Sequence, residues 1–284
     1  SETEMELLKS VFDIPAHLLY YLPIFSDALT DIIPTFEQRK DFLFIGNFRH
    51  APNLDSIFFL KEQIWQHIRK QIPNAKIHVY GAYVNPKVEG LHSEEEGFII
   101  HGRAMDAIQV HFNARVSLAP LRFGAGIKGK LLEAMRTGTP SITTSIGAED
   151  MQIDSNWGGK IADDALQIAN SAIQLYTNPE LWLTAQEHGY AILKERYAAS
   201  LYVAEFSKQI NSLVGSIDTI LLDPPRSGAG ELVVSQMIEK KPKMIVYVSC
   251  DPASLARDSK LLIDSGYELV DIIGIDLFPM THHI

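Results

Sequence analysis

Along most of the chain, short runs of β-branched and aromatic residues alternate with stretches whose apolar positions recur every three or four residues. Residues 42–46 (FLFIG) read as a strand ending in a glycine turn. Asn53 is the expected cap of the following helix, in which Ile57, Leu60, Ile64, Trp65, Ile68 and Ile72 share one face. Residues 76–81 (KIHVYG) give the next strand, again stopped by glycine. Two more strands are expected at 98–100 and 115–119, on either side of a helix-like AMDAIQVHFNA. A helix over 128–137 and a strand over 140–144 follow, and from 161 to about 213 the chain reads as helical. Repeated strand–helix units of this size predict an α/β class, a Rossmann-like parallel sheet with helices on both faces.

Gly215-Ser216 marks a seam, so two domains are expected, 1–215 and 216–284. Past the seam come strands over 217–222 and 244–249, helices over 231–239 and 252–264, and a last strand over 267–275. This tail is a short α/β run, too small to close a full doubly wound sheet comfortably.

Charge and composition narrow the partners. A formal net charge of −10 repels a phosphate backbone as a whole, so no nucleic-acid partner is expected, short of a local basic groove. A single cysteine, Cys250, rules out an intrachain disulfide and any cysteine-only metal cluster. No apolar run approaches the roughly 20 residues of a membrane span. The opening SETEMELLKS has neither the basic flank nor the apolar stretch of a signal peptide, so a reduced, cytoplasmic protein is expected.

Open parallel sheets bind ligands beyond the carboxyl ends of their strands. Here those ends carry Gly46-Asn47, Gly81, Gly102-Arg103 and residues 120–130 and 144–147. The richest stretch is LAPLRFGAGIKGKLLEAMRTGTPSITTSIGAEDM at 118–151. A strand delivers Arg122 to the sheet edge, and the loop Phe123-Gly124-Ala125-Gly126 lets backbone N–H groups approach an anion closely. Lys128 and Lys130 stand at the next helix start, where the dipole already favours phosphate. Glu133, one turn further in, has the reach to accept two hydrogen bonds from a ribose diol. The pattern suits a nucleotide; it also suits solvated lysines on an ordinary helix, because glycine-rich loops alone are weak signals.

This stretch resembles the donor site of group 1 glycosyltransferases, in which the carboxyl-terminal half of the GT-B fold binds a nucleoside-diphosphate sugar. FIGNFRHAPNLDSIFFL at 44–60, AKIHVYGA at 75–82 and FIIHGRAMD at 98–106 are similar to other elements of that half, in the expected order. SETEMELLKSVFDIPAHLLYYLPI at 1–24 looks like the exit from a preceding acceptor domain. The resemblance implies that Glu133 holds the donor ribose and is the catalytic candidate. It sets Arg122 and Lys128 at the diphosphate beside Gly124 and Gly126, Gly46 and Arg49 near the phosphates, and Gly102 and Arg103 near the base. Many members carry a second glutamate eight positions earlier, where this chain has Ala125. The implied reaction is hexosyl transfer from a nucleotide sugar to a glycan, lipid-linked or other acceptor, with no metal or cofactor required. Donor and acceptor must be held together for such a transfer, so this half alone is expected to bind donor without turnover. His50, His78 and His101 read as structural or solvated, with His101 nearest the site.

In the tail, LLDPPRSGAG at 221–230 puts Asp223 and Arg226 on a proline-stiffened loop. In IVYVSCDPASLARD at 245–258, Cys250 leaves a strand and meets a helix start that would lower its pKa toward thiolate. The plainer reading is a small residue filling a strand end. With DLFPMTHHI at 276–284, these motifs resemble the carboxyl-terminal end of RNA 5-methyluridine methyltransferases, S-adenosylmethionine enzymes that attack uracil C6 with a cysteine. By position Cys250 matches that nucleophile, and Asp223 and Arg226 match the family's DPPR loop. From Ser216 onward six Lys/Arg stand against ten Asp/Glu, unlike a basic RNA groove. The expectation is the donor-binding half of a glycosyltransferase joined to a methyltransferase fragment. The alternatives are an S-adenosylmethionine-dependent uracil-C5 methyltransferase using Cys250, and an inactive chimera or binding module.

Overall fold

The computed structural model describes residues 2–16, 19, 21, 24, 33–153, 156–202, 217–224, 228–249 and 251–274. The chain divides into two compact units, Ser1–Ser207 and Lys208–Ile284.

In the first unit, α1 (Glu2–Ser10) precedes β1 (Lys40–Asn47). A long helical run follows as α2 (Ala51–Phe59), a π-helical stretch (Leu60–Ile64) and α3 (Trp65–Gln71). Then come β2 (Ile77–Ala82), α4 (Pro86–Glu89), β3 (Phe98–Gly102), α5 (Ala107–Asn113), β4 (Ala114–Ala119) and α6 (Gly129–Arg136). The last elements are β5 (Ser141–Thr143), β6 (Gly159–Ile161), α7 (Ala165–Thr177) and α8 (Pro179–Ile192). The six strands are parallel and lie in the order β3-β2-β1-β4-β5-β6.

Strands buried on both faces explain the near-continuous apolar runs. One cluster joins Phe42, Phe44, Ile77 and Val79 to Ile57, Leu60, Trp65 and Ile68 of the long helical run and to Ile168 and Leu175 of α7. A second joins Ala119 to Leu131, Leu132 and Met135 of α6 and Ile192 of α8. Each large side chain so buried contributes roughly 1.5–3 kcal/mol. Large polar side chains carried inside are bonded to backbone carbonyls. Trp65 Nε1 donates to Glu96 O and Trp182 Nε1 to Arg115 O, both at 2.7 Å. Arg39, fully buried between the Phe112 and Trp182 rings, donates to the carbonyls of Pro34, His111 and Thr137 and to the Thr139 hydroxyl.

Three sequence expectations need correction. Asn53 does not cap the first long helix; His50 stands at the cap, and Pro52 in the first turn marks a start earlier than the apolar period shows. The helical stretch expected from 161 starts only at Ala165, and β6 lies before it. Its three residues are too few to display a period, and Ser141 and Thr143 of β5 recruit them by register pairing. The last strand expected in the tail is absent from the described residues 267–274.

The second unit holds β7 (Thr219–Leu222) and β8 (Met244–Tyr247), paired in parallel, with helices Gly230–Glu239 and Pro252–Asp264. Val234, Met237 and Leu262 are buried. Leu269, Val270, Ile272 and Ile273 are exposed: β propensity without a hydrogen-bonding neighbour makes no strand.

Candidate functional site

The strand order reverses between β1 and β4, adjacent in the sheet although β2 and β3 separate them in the chain. The crevice beyond the carboxyl ends of two such strands is where an open α/β sheet takes ligands. Gly46 to Arg49 end and follow β1, and residues 120–128 follow β4, so the sequence-predicted residues flank that crevice.

The first turn of α2 gathers them. Gly46 lies opposite Gly81 in the β1–β2 register, and a Cβ on Gly46 would sit 2.9 Å from Asn53 Cγ. Glycine therefore lets the helix close onto the strand. Asn53 Nδ2 donates to Asn47 O at 3.0 Å, and Asn53 Oδ1 accepts from Lys130 Nζ. The Lys130 ammonium stands 5.1 Å from the centroid of the Phe44 ring. Part of the Lys130 stem reaches solvent, but the ammonium is enclosed, and that burial brings its pKa down to about 7. Lys130 is thus a cation whose charge at neutral pH depends on what lies beside it.

Arg122 bonds Asp55, two residues further along α2, through both Nε, at 2.8 Å, and a terminal nitrogen, and packs 4.8 Å from the Phe59 ring centroid. Gly124 (φ 134°) faces Pro52, and Gly126 has φ 71°. Backbone in this region favours glycine at both positions. Lys128 stands at the cap of α6 and folds back to donate to Gly126 O at 2.6 Å. Burial lowers its pKa, while the nearby carboxylates of Glu149, Asp150 and Glu4 oppose the shift.

The Arg49 guanidinium covers the Tyr83 ring at 3.9 Å. Gly102 ends β3 with φ 79°, in register with Tyr80, and Arg103 beside it is exposed. Glu133, half-buried within α6, meets Arg136 Nη1 at 3.4 Å. His78 and His101 meet at 2.9 Å between Nδ1 and Nε2, with Asp41 3.4 Å beyond His78 and Tyr80 stacked on His101. Sequence reasoning missed Asp55 and the role of Asn53; the signal open to it was Ala51-Pro52, which moves the helix start back and both side chains into its first turns.

In the second unit Asp223 directly follows β7, while Arg226 and Cys250 lie outside the described residues. Sequence reading passed over Asp258. It is fully buried and accepts from Tyr247 Oη at 2.6 Å, Ala229 N at 2.7 Å, Gly230 N at 3.3 Å and Arg257 Nε at 2.9 Å. Burial alone would raise its pKa, yet the hydrogen bonds from Tyr247, Arg257 and the two amides hold it below the usual carboxylate value. Asp258 thus holds the backbone of Ala229 and Gly230, the last two residues of the DPPRSGAG motif.

Residues 39–178 match the family model for glycosyl transferases group 1, and residues 161–284 match that for tRNA (uracil-5-)-methyltransferase. The two matches overlap over residues 161–178. The second match begins inside the first unit, where α7 is packed on the six-stranded sheet.

Solved structures similar to the chain are GT-B glycosyltransferases. Staphylococcus aureus TarM, in complex with Fondaparinux, alpha-GlcNAc-glycerol and UDP, aligns with a TM-score of 0.60 and 16% identity, over 75% of this chain and 43% of that one. The pneumococcal O-GlcNAc transferase GtfA, with UDP and GlcNAc, gives 0.58 and 16%, over 74% and 44%. WaaG, a glycosyltransferase involved in lipopolysaccharide biosynthesis, gives 0.55 and 16%, over 76% and 62%. At these identities the likeness is one of fold.

Among curated proteins, the 23S rRNA (uracil(1939)-C(5))-methyltransferase RlmD of Shewanella denitrificans is 51% identical over 88 residues, 30% of this chain and 18% of the relative. An uncharacterized RNA methyltransferase of Thermotoga maritima is 50% identical over 70 residues, 25% of this chain and 16% of the relative. The chain therefore spans less than a fifth of either relative. This likeness to RNA-modifying enzymes conflicts with the expectation, drawn from charge, that no nucleic acid is involved. Among the described residues no helix is long and apolar enough to cross a membrane, and no group of three or more His, Cys, Asp or Glu could hold a metal ion.

Proposed function

We propose that the first unit binds a nucleoside-diphosphate sugar as donor for hexosyl transfer. The observation that carries this is the convergence on the first turns of α2. The enclosed Lys130 ammonium, Arg122 and the left-handed Gly124–Gly126 loop all meet that helix at the strand-order reversal. Cations, a glycine loop and a helix start in one crevice are what a diphosphate needs. In this reading Lys130, Lys128 and Arg122 take the phosphates, Gly46 and Arg49 line the approach, Gly102 and Arg103 lie toward the base, and Glu133 holds the ribose. The UDP in the two transferase complexes supports a nucleotide at such a site. Transfer itself takes place in the company of an acceptor-binding domain, because reactants must be held in line; the acceptor is a glycan or another hydroxyl compound. Calorimetry with UDP, GDP and ADP tests the reading. At least one binds, and Glu133→Ala weakens it by about 1–3 kcal/mol, the scale of hydrogen bonds to a charged group. No binding at millimolar concentration removes the assignment.

For the second unit, the family match over residues 161–284 supports a segment of methyltransferase ancestry. We propose that neither S-adenosylmethionine binding nor uracil methylation is carried by this chain.

A further inference from the structure

The segment before the sheet reaches the donor loop. Thr3 donates to Asp150 twice, N to Oδ2 and Oγ1 to Oδ1, both at 3.0 Å. Arg196 Nη2 donates to Glu2 Oε1 at 2.8 Å, while its Nη1 donates to Gln152 O at 2.7 Å. Between these anchors Glu4 comes to the loop: its Oε1 lies 3.7 Å from the point a Cβ on Gly126 would occupy. The same carboxylate acts on the Lys128 ammonium, together with Glu149 and Asp150.

Among the described residues, the rest of α1 contributes nothing to the core. None of its residues is buried, and Leu7 (47% exposed), with Val11 (63%) and Phe12 (66%) just beyond its end, points outward. A helix anchored by exposed polar contacts and no apolar burial is weakly fixed, since such contacts contribute little each. Its first turn brings a negative charge to the place where the donor reading puts a diphosphate.

We infer that the first turn of α1 is a displaceable strap over the donor loop, with Glu4 occupying the phosphate side of Gly126 and Lys128 until a nucleoside diphosphate expels it. The inference rests on the donor-site reading of that loop. Two negative groups cannot share the Lys128 cradle without mutual repulsion, so ligand and strap compete. The competition is electrostatic. It acts on a diphosphate and leaves an uncharged nucleoside untouched.

The test compares the full chain with its Glu4→Gln and Thr3→Ala variants, titrated with UDP and with uridine. Glu4→Gln removes the competing charge and should tighten UDP binding about three- to tenfold, the scale of one removed like charge near a surface, with uridine unchanged. Thr3→Ala loosens the anchor without altering charge and should shift UDP affinity the same way. Hydrogen exchange of residues 2–10 should quicken when UDP is added to the parent chain. Equal UDP affinity in parent and Glu4→Gln, or slower exchange of residues 2–10 on binding, overturns the strap alone. Absence of UDP binding to every form removes the donor reading and the strap with it.

Discussion

Lys130 and Asn53 lie 77 residues apart in sequence and are joined by a hydrogen bond from Nζ to Oδ1 that closes α6 against α2 above the Phe44 ring. The ammonium is enclosed with a neutral partner, so burial alone sets its pKa, at about 7.

Diphosphate binding at this site should therefore be proton-linked. A bound diphosphate favours the charged form, so UDP binding takes up a proton near pH 7–8 and weakens as pH rises toward 9. Titrations in buffers of different ionisation enthalpy measure the uptake, and Lys130→Met should abolish it while weakening UDP at least about tenfold, as expected of a lost charge-assisted bond. The stability linkage has a definite sign. In the folded chain the Lys130 pKa lies below its ordinary value of 10.5, so between about 7 and 10.5 the unfolded chain holds the extra proton. Stability should rise with pH across that window, and Lys130→Met should flatten the rise. An unchanged pH profile in Lys130→Met would place the ligand elsewhere.

Arg122 is held by Asp55 before any ligand arrives. Turning to a diphosphate costs that pair. Asp55→Asn should release the guanidinium and tighten UDP binding several-fold, whereas Arg122→Ala should weaken UDP and spare uridine. If Asp55→Asn weakens UDP instead, the pair acts as a unit that shapes the loop.

His111 should govern part of the acid limb of stability. Its Nδ1 donates to Ala107 O at 2.8 Å, its Nε2 is buried without a partner, and burial lowers its pKa to about 4. The folded chain therefore refuses a proton that the unfolded chain accepts below about 6.5, and stability is lost as pH falls from there toward 4. The loss approaches about 3 kcal/mol at full linkage. Urea denaturation between pH 7 and 4 measures it, and His111→Phe should remove much of the slope. A slope that persists in the variant assigns the acid sensitivity to other groups.

Truncation separates the two units. The donor crevice is built from strands and loops between Lys40 and Arg136, so deletion after Gly215 should leave UDP affinity within a few-fold of the full chain. The full chain should show neither S-adenosylmethionine binding by calorimetry nor methyl transfer to uridine in RNA. Methyl transfer that disappears in Cys250→Ala would make the second unit an enzyme in its own right, and collapse of UDP binding on truncation would tie it to the donor fold.

The sequence by itself determined the sheet's main strands and the helix faces. Side-chain periodicity is a local property: Phe42 and Phe44 alternate, and Ile57, Leu60, Ile64, Trp65 and Ile68 recur at helical spacing, whatever they pack against. It also marked the glycines at which the backbone turns left-handed, Gly102, Gly124 and Gly126. Tertiary structure decided the rest. β6 exists because β5 offers a ladder, and residues 267–274 form no strand for want of one. Arg122 meets Asp55 and Lys130 meets Asn53 across 67 and 77 residues. Neither the pairing of such distant groups nor the loss of water around an ammonium is encoded in its immediate neighbours. Both arise when the sheet brings β1 and β4 side by side, and from that juxtaposition Lys130 acquires the chemistry on which the donor reading depends.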